Sequence, residues 1–207
     1  MKTVRLPSRS KFVQGVARFS SGEPRDSMYR IARRLLRKDW GKPAKMADDI
    51  GVLLLTWNQA FYRYGVFDFD RLTRALKRHM RELASLRRRR ILSLDRRDER
   101  LVRLLFKDFL KALRIDEGKR KDSTTPVGTA KALHLLAPNF FPLWDQYIAS
   151  GYGCRYSGDP TRAYIRFCFL MQNFVRHVGH YRPPLSARLK RNLLKRTDEY
   201  NYAEFTM

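Results

Sequence analysis

The sequence predicts an all-α fold. Apolar residues recur at helical spacing in segment after segment from residue 26 onward, and strand-like alternation is nowhere sustained. Only 11 Gly and 9 Pro occur in 207 residues. With 43% hydrophobic and 13% aromatic residues the chain can fill a real core, which a disordered basic tail could not. Its length suits one compact domain, or two small lobes sharing an interface.

Taken in order, residues 1–25 are basic, rich in Ser, Gly and Pro, and read as an N-terminal arm ahead of a helical domain at 26–207. From Asp26, residues Met28, Ile31, Ala32, Leu35 and Leu36 form one apolar face, with Gly41 stopping the helix and Pro43 starting the next. The stretch 44–64 is apolar nearly all round at 50–55, the mark of a buried central helix, and Gly65 ends it. Asp68 or Asp70 caps a third helix whose face is Leu72, Leu76, Met80, Leu83 and Leu86. After an arginine run, Asp95 opens a helix with Leu101, Leu105, Phe109 and Leu113 facing the core.

A polar linker at 116–126 precedes a short helix over 128–136, which stops before Pro138. A turn at 139–144 leads into Asp145 and another short helix. Pro160 begins an apolar helix holding Tyr164, Ile165, Phe167 and Phe174, and a basic helix from about Pro184 closes the chain.

Charge narrows the function. The 44 Lys and Arg outnumber 20 Asp and Glu, a formal net charge of +24. Heat-tolerant proteins also enrich basic residues but balance them with Glu. The unbalanced excess excludes an ordinary neutral metabolic enzyme and points to a polyanionic partner. Positive charge lies on the arm, the 30–38 helix, Arg87, Arg88, Arg89 and Arg90, and the C-terminal helix, so several elements can track a phosphate backbone.

Cys154 and Cys168 form no CxxC and have no His at ligand spacing, so no metal or cofactor site is expected, and the thiols read as reduced and partly buried. The N-terminus lacks the apolar core of a signal peptide, and no apolar run is long enough to span a bilayer. A soluble intracellular protein of cytoplasm or nucleoid, without membrane contact, is expected. The glycines at 151–158 lack a dinucleotide fingerprint, and no Ser-His-Asp order, HExxH or Walker motif occurs.

One segment concentrates chemistry: Thr125-Pro-Val-Gly-Thr-Ala-Lys-Ala-Leu-His-Leu-Leu-Ala-Pro-Asn-Phe-Phe-Pro-Leu-Trp-Asp145-Gln-Tyr-Ile. A Pro-Val-Gly turn opening a helix exposes backbone N–H groups at its positive end, a seat for phosphate at Val127, Gly128 and Thr129. Asp145 either caps the next helix or presents its carboxylate to a ligand. Lys131 is a basic surface residue or an amine reaching a pocket. His134, one turn on, is a satisfied core histidine or a pocket residue. Trp144 and Tyr147 stack on a base or fill core, and Trp57 and Asn58 carry the same pair of readings.

Those residues resemble the helix-hairpin-helix DNA glycosylase superfamily, which includes endonuclease III, the adenine glycosylases and the 8-oxoguanine glycosylases. There a glycine-bearing hairpin leads to Thr-Ala, an apolar helix, and a Pro-containing turn ending in the catalytic Asp. Thr129-Ala130 to Asp145 fits that register with about one residue missing. Val52-Leu-Leu-Leu-Thr-Trp-Asn58 is similar to the family's early buried helix, so the likeness covers roughly residues 45 to 150. The chain departs from the pattern at a shortened hairpin, with Gly128 touching Thr129, and in lacking the iron–sulfur cysteines. Lyase members place a lysine immediately before the threonine, where this chain has Gly128 and carries Lys131 three residues further on.

The resemblance implies a two-lobed fold whose cleft, near residues 125–147, holds a base flipped out of double-stranded DNA. It implies a monomeric glycosylase acting on a modified base, with a mild preference for an oxidised purine. Asp145 is then the carboxylate that stabilises the cationic sugar or activates water. Lys131 is a candidate lyase nucleophile, forming a Schiff base that permits strand cleavage. Trp57, Asn58, His134, Trp144 and Tyr147 would line the base pocket. The rivals are a non-catalytic DNA- or RNA-binding protein on the same fold and a basic structural protein of a ribonucleoprotein.

Overall fold

Eleven α-helices and one 3-10 turn make up the described residues, which form no strand. The structure, a computed structural model, describes residues 6–22 and 26–206. Residues 1–5 and 23–25 of the expected arm, and residue 207, lie outside the described residues.

The arm is the first correction. Arg9–Gly22 is helix α1, packed along the last helix, with Phe12, Val16 and Phe19 buried. These three recur at helical spacing on one face. Intervening Ser, Gly and Gln lower the apolar content enough to disguise the period. Gly15 lets α1 close on Tyr200, because a Cβ there would come within 2.6 Å of that ring.

Helix α2 (Asp26–Lys38) buries Tyr29, Ala32 and Leu36, whereas Met28 is exposed, so the face is turned from the expected one. It packs on α3 (Pro43–Trp57), which opens on Pro43. The expected single helix over 44–64 is broken. Asn58 ends α3, a one-turn α4 (Gln59–Tyr62) follows, and Leu55 is exposed. The chain then returns close to itself: a Cβ on Gly65 would lie 2.1 Å from the Glu117 carbonyl, and one on Gly118 (φ +93°) 2.1 Å from that of Tyr64. Only glycine permits both approaches.

Asp68, not Asp70, caps α5 (Phe69–Arg88), accepting from the N–H groups of Asp70 and Arg71. Past a 3-10 turn at Ile91–Ser93, α6 (Asp98–Ala112) buries Val102, Leu105, Phe106 and Phe109. Then come α7 (Pro126–Leu136), α8 (Gln146–Gly151) and α9 (Pro160–Gly179), capped by the side chains of Thr125, Asp145 and Asp159. The expected C-terminal helix is two: a short α10 (Ala187–Lys190) and α11 (Leu193–Phe205), capped by Asn192. Helix α3 packs on α2, α5 and α7, while α9 packs on α6 and α11. None of the described helices is long and apolar enough to cross a membrane.

Candidate functional site

A cavity of about 620 Å³ opens where the end of α3, the start of α7, the turn before α8 and the face of α11 meet. Trp57, Asn58, Val127, Lys131, Trp144, Asp145 and Tyr147 all line it. Residues nearly ninety positions apart thus share one wall.

Asp145 caps α8 and lines the cavity. Its Oδ1 accepts the Ile148 N–H at 2.8 Å, capping α8, and the residue remains half-buried at the cavity edge. Burial pushes its carboxyl above the ordinary range, opposed by the Ile148 N–H, the Lys131 charge and the Tyr147 N–H. Lys131 donates from Nζ to the Trp57 carbonyl at the C-terminal end of α3, 5.8 Å from that indole's centre. The last carbonyls of a helix are a favoured seat for a cation.

The aromatic positions divide. Trp57 stacks on Tyr29 at 5.6 Å. Trp144 is buried, packed 5.3 Å from Tyr164 and edge-on to Phe106, so it fills core and walls the cavity together. Tyr147 is 64% exposed at the rim, free to meet a ligand. The amide of Asn58 donates to Thr125 Oγ1 at 3.0 Å, tying the α3 end to the α7 start.

Other expectations are corrected. His134 does not line the cavity. It is wholly buried, with Nδ1 donating to the Phe141 carbonyl at 2.7 Å and Nε2 accepting from the Tyr29 hydroxyl at 2.8 Å. Of the expected phosphate seat, the Gly128 and Thr129 N–H groups are already taken within the protein, while Val127 lines the cavity. Thr125 takes the Gly128 N–H on its hydroxyl at 2.9 Å and the Thr129 N–H on its carbonyl at 2.9 Å, and both residues are buried. Gly128 is glycine for packing reasons, since a Cβ would meet the Thr125 methyl at 2.6 Å.

The arginine run alternates. Arg87 lies over Trp40 at 4.1 Å and donates to the Leu136 carbonyl, and burial lowers its guanidinium below the ordinary range. Arg89 grips both Asp98 oxygens at 2.7 Å. Only Arg88 and Arg90 are exposed, and none of the four lines the cavity. An exposed arginine that does line it is Arg120, in the polar linker at 116–126.

The sequence reading also missed the wall formed by α11. Lys195, Asp198 and Glu199 are buried there and line the cavity. Lys195 bonds Asp26 at 3.2 Å, approaches Glu199 at 3.9 Å and lies 4.2 Å from the Tyr29 ring centre. Leu194 amid Lys195, Asp198 and Glu199 looks like an ordinary charged surface helix. The available signal is the run Tyr200-Asn-Tyr-Ala, too apolar for a solvent face. No group of three or more His, Cys, Asp or Glu among the described residues has the geometry to hold a metal ion.

No family model, curated protein or solved structure matches this chain.

Proposed function

We propose that the chain is a monofunctional DNA glycosylase on a two-lobed helix-hairpin-helix fold. It acts as a monomer in cytoplasm or nucleoid on double-stranded DNA carrying a modified base, oxidised purines first. One observation carries the reading: Asp145 stands at the edge of a 620 Å³ cavity with aromatic walls, in a chain of net charge +24.

A base inside a duplex is out of reach, so the nucleotide must be extruded into a pocket. Trp57 and Trp144 supply apolar wall for it, and exposed Tyr147 is placed to stack at the rim. As the glycosidic bond stretches, positive charge grows on the sugar. The Asp145 carboxylate stabilises that charge and accepts a proton from the attacking water. It does this work while its Oδ1 caps α8.

Lyase action requires a neutral amine to attack the sugar carbon. The Lys131 amine is instead committed to the Trp57 carbonyl beside the Asp145 charge. We therefore assign to Lys131 a charge that opposes the rise burial imposes on Asp145, and leave no covalent step to it.

The test is release of base from duplexes bearing 8-oxoguanine, hypoxanthine, 7-methylguanine or uracil. Wild type is expected to release base, Asp145→Asn to lose at least about 10²-fold while still binding the duplex, and borohydride to trap no covalent complex. A borohydride-trapped adduct lost in Lys131→Ala would make the protein bifunctional. The second reading, a non-catalytic binder on this fold, is favoured by the Asp145 oxygen already spent as a helix cap. Tight, salt-steep binding with no release from any duplex would establish it.

A further inference from the structure

Two side chains on the cavity wall carry a buried polar atom without a hydrogen-bond partner: Trp144 at Nε1 and Asp198 at Oδ2. Asp198 is only 2% exposed. Its Oδ1 accepts the Leu143 N–H at 3.2 Å, which leaves Oδ2 over. His134 Nδ1 is 3.7 Å from Oδ2, beyond hydrogen-bond reach, and gives its proton to Phe141.

A buried carboxylate oxygen that no donor meets is costly, and the group escapes that cost by binding a proton. With Oδ1 held by an N–H, the proton belongs on Oδ2, which becomes a donor in need of an acceptor. Burial does drive this carboxyl well above the usual range, with Lys195 opposing. The groups around it offer little to reverse that. From α9, Tyr164 and Cys168 are held protonated by burial, as are Tyr29 of α2 and Tyr152 beside α8. His134 of α7 is neutral, and on α11 Glu199 is also raised by burial. Lys195 spends its ammonium on Asp26 and Glu199.

We propose that Asp198 is the general acid of this cavity, its Oδ2–H giving a proton to a ring nitrogen of the departing purine. The assignment rests on the glycosylase reading. In the step, the proton passes from Asp198 to the base, and the sugar–nitrogen bond breaks with its electron pair leaving on the base. Water adds to the sugar carbon, losing its proton to Asp145. Solvent then takes that proton and returns one to Asp198, so the net change is addition of water across the bond. Trp144 Nε1–H, next to Leu143 in the chain, offers a second donor to the same ligand. Two carboxyls line the one cavity, and such a reaction needs one of them protonated and the other ionised.

Asp198→Asn tests this directly. Leu143 keeps an oxygen acceptor, so the amide nitrogen replaces Oδ2: a donor remains, but no transferable proton. Hypoxanthine leaves only after protonation, whereas 7-methylguanine is already cationic and needs no acid. In single-turnover assays on the two duplexes, the rate ratio of 7-methylguanine to hypoxanthine release should rise about 10²-fold in the variant. In wild type, hypoxanthine release should fall at alkaline pH while 7-methylguanine release does not, a readout independent of how the variant folds. An unchanged ratio, or parallel pH profiles, overturns the assignment. A wild type that releases 7-methylguanine alone overturns it too, because no acid is then called for. Release of nothing from any duplex overturns the glycosylase reading and this assignment with it.

Discussion

His134 illustrates how far spacing carries a single residue. One turn beyond Lys131 it shares the helix, yet it faces α2 and the 139–144 turn, between the Tyr29 hydroxyl and the Phe141 carbonyl. Burial, the nearby Lys195 charge and Arg33 hold its ring down to about 3, against one favourable bond to Phe141. Unfolded histidine takes up a proton near 6.5, so between 6.5 and about 3 the unfolded chain binds a proton that the folded one refuses. The contribution of His134 to stability is therefore complete above 6.5 and declines as pH falls through that window. By NMR its imidazole should remain the neutral Nδ1–H form from about pH 8 down to about pH 5, and titration near 6.5 would contradict the burial. At Asp145 the sequence was more informative, because capping is a local property. Asn caps as well as Asp, so Asp145→Asn should keep its melting temperature while losing base release.

Among elements, α1 and the start of α7 matter most. The sequence reading discounted α1 for its Ser and Gly, but Phe12 packs 5.6 Å from Tyr200 and 6.3 Å from Phe174. Phe12→Ala should cost about 3–5 kcal/mol in chemical denaturation, as for a core aromatic and not for a mobile arm. At α7, Gly128→Ala forces its methyl into Thr125 and toward the Asn58 amide. A loss of about 1–3 kcal/mol is expected, with weaker turnover because Asn58 and Trp57 move together. Helix starts here were legible at Pro43, at Pro160 and, between two candidates, at Asp68. The break at Asn58 was not, because its amide is satisfied by Thr125, far along the chain.

For the whole molecule the question is which of the 44 basic residues meet a polyanion. Several are internal. Arg71 binds Asp116 and the Arg114 carbonyl, Arg89 binds Asp98, and Arg87 covers Trp40. Arg89→Ala should lower the melting temperature and leave the salt dependence of duplex binding intact. Arg120, exposed at the cavity rim, should behave in the opposite way: its Ala variant weakens binding to every duplex and flattens the salt slope by about 1. Equal effects of the two substitutions would contradict this division of the charge.

Sequence alone determined the helical class, the order of most helices, the basic character and the placing of Asp145 at a helix start beside Trp144 and Tyr147. Periodicity, caps and prolines act over three or four residues, so they survive in a single string. Tertiary structure alone decided that α1 belongs to the core, that His134 leaves the cavity and that Lys195, Asp198 and Glu199 enter it. Burial is a relation between distant segments. A charged residue on an amphipathic helix looks the same in print whether water or another helix lies opposite.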